Sequence, residues 1–201
     1  MKFIKHWKAV FLSLTMVATV FLIWDAIFTA NGVWGFNADY HMNLLLFGMP
    51  IEEWMFFFCI PYASIFIHYS LAYFKPNLLL SNKATRFITL FFILILVPVI
   101  ILNTDKAYTF VNYSFVVFVL LMGFFYGIKY LQRFYISFLI ILVPFFIVNG
   151  ILTGTGLEEP VVWYNNAENL GIRLATIPIE DIGYAFTMIF GNVFLIEKFK
   201  K

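Results

Sequence analysis

Two short stretches of the chain have the residue types needed to hold and move a proton. Pro50-Ile51-Glu52-Glu53 returns in the second half as Pro178-Ile179-Glu180-Asp181, each a pair of adjacent carboxylates straight after a proline at the head of a long apolar segment. Together they carry four of the eleven acidic residues. A carboxyl group in apolar surroundings can give up a proton and a carboxylate beside it can take one, so the pattern suits general acid and base work. A purely structural account fits the same residues, because proline suits the first helical turn and acidic side chains there complement the helix dipole. Charge inside spanning segments is costly and marks function by default, and a motif that occurs twice weighs toward function.

The surrounding chain is built for a membrane. Of its 201 residues 63% are hydrophobic, 21% aromatic and 12% charged, and the mean hydropathy is +0.91. A soluble domain cannot hide that much apolar surface, so an integral membrane protein is expected, with the lipid bilayer as its first partner. The formal net charge of +2 identifies no partner by itself, and no nucleic-acid partner is expected. Cys59 is the only cysteine, which excludes a disulfide framework and a thiolate zinc site. The basic stretch Met1 to Lys8 precedes an apolar run to about Ile27 with no small-residue cleavage site, so it reads as a first spanning helix rather than a signal peptide.

Six apolar segments follow, near Val10 to Phe28, Pro50 to Phe74, Phe87 to Leu102, Phe110 to Ile128, Phe134 to Leu152 and Pro178 to Ile196. The third is short for the roughly 20 residues that cross a bilayer, and Pro98 interrupts it. With the N-terminus inside, the cytoplasmic segments hold Lys2, Lys5, Lys8, Lys75, Lys83, Arg86, Lys129, Arg133, Lys198, Lys200 and Lys201, leaving only Lys106 and Arg173 outside. Eleven against two favours six crossings of the cell membrane with both termini cytoplasmic. The predicted fold is an all-α polytopic helix bundle.

The halves also resemble each other. Trp24-Asp25-Ala26-Ile27-Phe28-Thr29-Ala30-Asn31-Gly32 aligns without gaps on Val148-Asn149-Gly150-Ile151-Leu152-Thr153-Gly154-Thr155-Gly156, and the acidic motifs align after a four-residue difference in loop length. Segments one and two then correspond to segments five and six in the same orientation, two parallel pseudo-repeats over residues 1–104 and 105–201. Both acidic motifs start helices at the outer face. Asp25 has Asn149 as its counterpart, so only one copy carries that charge.

Successive helical residues point about 100° apart, so at most one acid of each pair faces squarely inward. From Asp181 one face continues through Tyr184 and Met188 to Asn192, and from Glu53 through Phe57 to Ser64 and His68. Polar residues in such lanes line an interior or join helices by hydrogen bonds. His6, His41 and His68 have no metal-binding spacing, and the chain has no phosphate loop, dinucleotide fingerprint or nucleophile elbow.

Trp24-Asp25 with Gly32, Pro50-Ile51-Glu52-Glu53 with its Phe-rich continuation, Pro160-Val161-Val162 with Tyr164-Asn165, Arg173, and Pro178-Ile179-Glu180-Asp181 with Tyr184 and Asn192 occur in an order that resembles the small integral-membrane lycopene cyclases. Those occur as two three-helix subunits, as one fused chain, and as the cyclase domain of fungal bifunctional carotenoid enzymes; this chain resembles the fused form over nearly all its length. The resemblance implies a lipid-soluble carotenoid substrate, closure of the ψ ends of lycopene to β rings to give γ-carotene and then β-carotene, and association with other enzymes of carotenoid biosynthesis. It implies Glu52, Glu53, Glu180 and Asp181 as catalytic candidates, one member of each pair acting as acid or base. Asp25 and Tyr184 would hold a carboxyl in place, Trp24, Trp54, Phe56 and Phe57 would face the cation, and Tyr164, Asn165, Arg173 and Asn192 would support the site. The reaction is redox-neutral, so no flavin, nicotinamide or metal is expected. Ring type, ε rather than β, and longer carotenoid substrates stay open. A small proton-coupled transporter is the alternative of another class, but its acids should line a path nearer the midplane. A membrane prenyltransferase would need Asp clusters for magnesium and diphosphate, which are lacking.

Overall fold

Apolar runs of this length have only one way to satisfy their backbone in lipid, and six of them become helices. The computed structural model describes residues 3–200; Lys2 and Lys201, both counted in the charge tally, lie outside the described residues. The helices are α1 (Trp7–Ala30), α2 (Ile51–Phe74), α3 (Asn82–Leu102), α4 (Ala107–Tyr126), α5 (Ile128–Leu152) and α6 (Glu180–Phe199). All six are long and apolar enough to cross a membrane. The third is not short: it runs for 21 residues, because Ser81 caps its start by accepting a hydrogen bond from the Ala84 amide at 3.1 Å. Lys83 and Arg86 fall in its first turns, where polarity hides a helix from a hydropathy reading. Pro61, Pro98 and Pro144 all lie inside helices.

Helix α6 is the centre of the bundle. It packs against α1, α2, α4 and α5, and its residues from Ala185 to Phe190 are all buried. Glycines allow the close approach that apolar helices need when lipid offers no hydrophobic drive to associate. Gly183 of α6 lies where a Cβ would come within 2.9 Å of Val116 on α4, and Gly123 of α4 is closed over by Leu131 and Phe190. Helix α3 is peripheral, with only Thr85 and Thr89 buried, and rests on α4 and α5.

The α1–α2 and α5–α6 loops, which lie away from the chain ends and are the outer loops of the expected topology, hold short strands that the sequence did not announce, too short for an alternating pattern. These are β1 (Trp34–Phe36), β2 (Leu45–Leu46), β3 (Met49–Pro50), β4 (Val162–Tyr164), β5 (Arg173–Leu174) and β6 (Ile177–Pro178). Strand β1 pairs antiparallel with β4, with Trp34 opposite Tyr164, and so ties the outer loop of one half to that of the other. Each acidic helix is entered from a tight hairpin that ends on the proline of its motif, with Leu45 opposite Pro50 and Arg173 opposite Pro178. Phe47 and Gly48 both take positive φ, which suits the two-residue turn of the first hairpin; in the second, Ala175 takes φ 56°. Gly32 and Gly156, aligned in sequence, both have positive φ, at 68° and 79°. Gly154 stands where the first copy has Ala30; its φ of 108° lets α5 stop two positions earlier than α1.

Candidate active site

A cavity of about 150 Å³ lies between α2, α5 and α6, with the outer loops over one end. Its polar residues gather at that end. The last turns of α1 supply Asp25, the first turn of α2 supplies Glu53, the last turn of α5 supplies Asn149, and the first turn of α6 supplies Asp181. These are two pairs in aligned positions, Asp25 with Glu53 from one half and Asn149 with Asp181 from the other. The remaining walls are mostly apolar, with Phe56, Ile60, Ala63, Ser64 and Ile67 from α2 facing Ile141, Pro144, Phe145 and Val148 from α5.

The carboxyl groups are held by different partners. Asp181, 3% exposed, accepts hydrogen bonds from the Tyr108 hydroxyl at 2.5 Å, the Tyr164 hydroxyl at 3.1 Å and the Asn149 amide at 3.4 Å. Asp25, 2% exposed, accepts on one oxygen from the Trp34 indole at 2.5 Å and the Thr29 hydroxyl at 3.3 Å. Its other oxygen has no hydrogen-bond partner among the described residues. The paired strands thus present Trp34 to the first-half acid and Tyr164 to the second-half acid. Burial pushes the Tyr164 phenol well above its ordinary value, as do the charge and hydrogen bond of Asp181 and, less strongly, the charges of Glu53 and Asp25. All three carboxyl groups therefore act on one phenol. Aromatic rings back the site: Tyr184 lines the cavity, and Trp24 and Phe21 lie behind it with ring centroids 4.9 Å from that of Tyr184.

A family described as lycopene cyclase matches residues 1–71 and 105–199 of the chain. The chain belongs to the lycopene cyclase family. No curated protein and no solved structure matches it. Every residue that lines the cavity falls inside the two matched segments, and peripheral α3 falls between them.

The cyclase places its other candidate residues outside this cavity. Glu52 points toward the first hairpin and accepts from the Met42 amide at 3.0 Å. Glu180 is wholly buried but turned toward α4, accepting from the Thr109 hydroxyl at 2.7 Å and the Leu170 amide at 2.8 Å. Helix geometry thus separates each acidic pair: Glu53 and Asp181 line the cavity, while Glu52 and Glu180 do not. Trp54 donates to the Leu46 carbonyl at 3.2 Å and stacks on Phe47, bracing the first hairpin. Phe57 is buried behind the cavity wall against Phe21. Asn165 shapes the outer loop, its backbone amide bonded to the Val33 carbonyl at 2.9 Å. Arg173 braces the second hairpin through the Thr176 carbonyl at 2.6 Å, with its guanidinium 5.7 Å from the Tyr164 ring centroid. Asn192 is a helix joint that accepts from Ser13 of α1 at 2.8 Å. His68, at the inner end, bonds Ser137 of α5 at 2.6 Å. Of the lanes drawn from sequence, Tyr184, Met188 and Ser64 line the cavity, whereas Phe57, Asn192 and His68 belong to helix packing. Trp34 and Tyr108 were not among the sequence candidates, because tyrosine and tryptophan at the ends of spanning segments ordinarily read as an interfacial belt.

Proposed function

We propose that the protein is a lycopene β-cyclase that closes the ψ ends of lycopene to β rings, giving γ-carotene and then β-carotene. The observation that carries this reading is the convergence of Asp25, Glu53 and Asp181, with Asn149, at one end of a cavity that is otherwise mostly apolar. Cyclisation needs that combination. An acid adds a proton to the terminal double bond, leaving a tertiary cation; the neighbouring double bond attacks it and closes the ring; a base then removes a ring proton to restore a double bond. One proton enters and one leaves, so the product is an isomer and no electrons are exchanged.

Glu53 is assigned as the proton donor and Asp25 as its neighbour, whose second oxygen has no hydrogen-bond partner among the described residues and is free to receive that proton. Asp181 is assigned as the acceptor of the ring proton and the anion facing the cation, since Tyr108, Tyr164 and Asn149 hold its lone pairs in a fixed direction. Tyr184 and Trp34 offer ring faces to the intermediate cation, which aromatic quadrupoles attract. Transfer of the proton from Asp181 back to Glu53 resets the site. Because the sequence of steps is redox-neutral, turnover needs no flavin, nicotinamide or metal; purified protein that turned over only with added reduced flavin would refute this. A proton-coupled transporter would want its acids along a path nearer the midplane, whereas these cluster at the outer ends of four helices.

The enzyme works as two parallel pseudo-repeats, 1–104 and 105–201, in the cell membrane with both termini cytoplasmic, drawing its substrate from the lipid and associating with other enzymes of carotenoid biosynthesis. Expression in bacteria that accumulate lycopene tests the activity: the expected result is conversion to β-ring products, and unchanged lycopene at normal membrane levels of the protein would overturn it. Product analysis in the same host distinguishes β from ε rings.

A further inference from the structure

The cavity has one polar end and one open side. Along α2 its lining positions are 53, 56, 60, 63, 64 and 67, a spacing that follows one side of the helix. The stripe that packs into the bundle lies beside it, through Phe57, Pro61, Ile65 and His68, all buried. The cavity therefore runs down the flank of α2, between its core face and its lipid face. Helix α5 offers the matching flank: Pro144 and Val148 line the cavity and are exposed, Val148 to 37%, while Ile141 at the deep end is buried. On α2 the residue that both lines the cavity and is exposed is Ala63. Ala63 lies ten residues below Glu53, about 15 Å of helix, or half of a hydrocarbon core about 30 Å thick. At that depth the exposed side of the bundle meets hydrocarbon, not water.

We propose that the opening between α2 and α5 is a lateral portal from the bilayer, through which the end of an apolar polyene slides toward the carboxyl groups, with Ala63 as its gate residue. The proposal rests on the cyclase reading of those groups. The physical reason is simple: such a substrate has no aqueous route to the site, and a methyl side chain at mid-depth leaves the passage clear where larger neighbours would close it. An aromatic side chain at 63 narrows the passage at the depth of Ile141 and Pro144 of α5, about 15 Å of helix from Glu53.

The test compares Ala63→Phe with Ala63→Gly, Ala63→Ser and the lipid-facing control Met55→Phe in lycopene-accumulating bacteria, normalised to membrane protein, with thermal unfolding followed in detergent. Ala63→Phe is expected to lower cyclised product by about tenfold or more, since access and positioning both suffer, and by clearly more than Ala63→Gly or Ala63→Ser, while Met55→Phe stays near the parent. Parent turnover in Ala63→Phe overturns the portal. Should Ala63→Phe lose its unfolding transition, Ala63→Cys in a Cys59→Ser background decides: slower labelling by a lipid-soluble maleimide when lycopene is present supports the portal, and unchanged labelling overturns it. Parent turnover in Glu53→Gln would instead strike the cyclase reading, so the two failures are distinguishable.

Discussion

At the scale of single residues, the acids divide by what touches them rather than by their place in the motif. On the proposed mechanism Glu53→Gln and Asp181→Asn remove the proton donor and the proton acceptor, so cyclised product per membrane protein is expected to fall by about a hundredfold or more while the protein still reaches the membrane. Glu52→Gln should stay near the parent, because Glu52 holds a loop amide outside the cavity. Glu180→Gln belongs with stability: its carboxyl joins α4, the outer loop and α6, and a weakened buried network is expected to cost about 1–3 kcal/mol in detergent unfolding. Tyr164 supplies a pH prediction. Its phenol is raised in the folded protein, so the stability tied to its proton is complete below the ordinary tyrosine value, about 10, and is lost as pH climbs through the folded value. A difference titration of phenolate absorbance against Tyr164→Phe should show that this phenol ionises only after unfolding; ionisation near the ordinary value in folded protein would contradict the half-buried, carboxylate-faced placement. The two acidic motifs were legible from type and spacing. The roles of Trp34 and Tyr108 were not, since only the meeting of β1 with β4 and of α4 with α6 brings them to a carboxyl group.

At the scale of elements, the six helices were legible because hydropathy in lipid leaves the backbone no alternative. Their boundaries were less so, as α3 illustrates: its first turns are polar, and the Ser81 cap rather than hydropathy sets where it starts. The hairpins ahead of α2 and α6 were hidden for a different reason, since two-residue strands carry no period. They matter because each delivers a proline and an acid to a fixed point. The α4–α6 contact does the same for Asp181, and Gly183 is where it is tightest. A Cβ at 183 would press on Val116 and approach Asn112, whose amide donates to the Glu180 carbonyl at 2.5 Å. Gly183→Ala is therefore expected to destabilise the bundle by about 1–3 kcal/mol and to lower turnover by moving Asp181 off Tyr108. Thermal unfolding together with product yield checks this; a variant as stable and as active as the parent would mean that the helices have slack there.

At the scale of the whole molecule, the α1–α2 and α5–α6 helix pairs surround one site, and the consequence is a cleft with its acids at a single end. From Glu53 to Ile67 the lined stretch of α2 rises fourteen residue steps, about 21 Å, so the proposed polyene substrate, with a ψ end at the carboxyl groups, would trail toward the opposite face. No carboxyl group lines the cleft at the inner end among the described residues. The nearest candidates there are engaged: Glu197 accepts from the Tyr69 hydroxyl at 2.7 Å and pairs with Lys200, and His68 is bonded to Ser137. On the proposed reading the far ψ end of lycopene has no acid to meet while the near end is bound. Closing both rings on one molecule requires release of the one-ring product into the bilayer, reversal of the chain, and a second binding event. With enzyme in liposomes at far below the substrate concentration, free γ-carotene is expected to exceed the enzyme before β-carotene rises, and labelled γ-carotene added during turnover should mix with the internally formed pool. β-Carotene that appears at once, with γ-carotene never above the enzyme concentration and the added label excluded, would mean that the two halves hold two working sites and that the single-ended cleft is the wrong description.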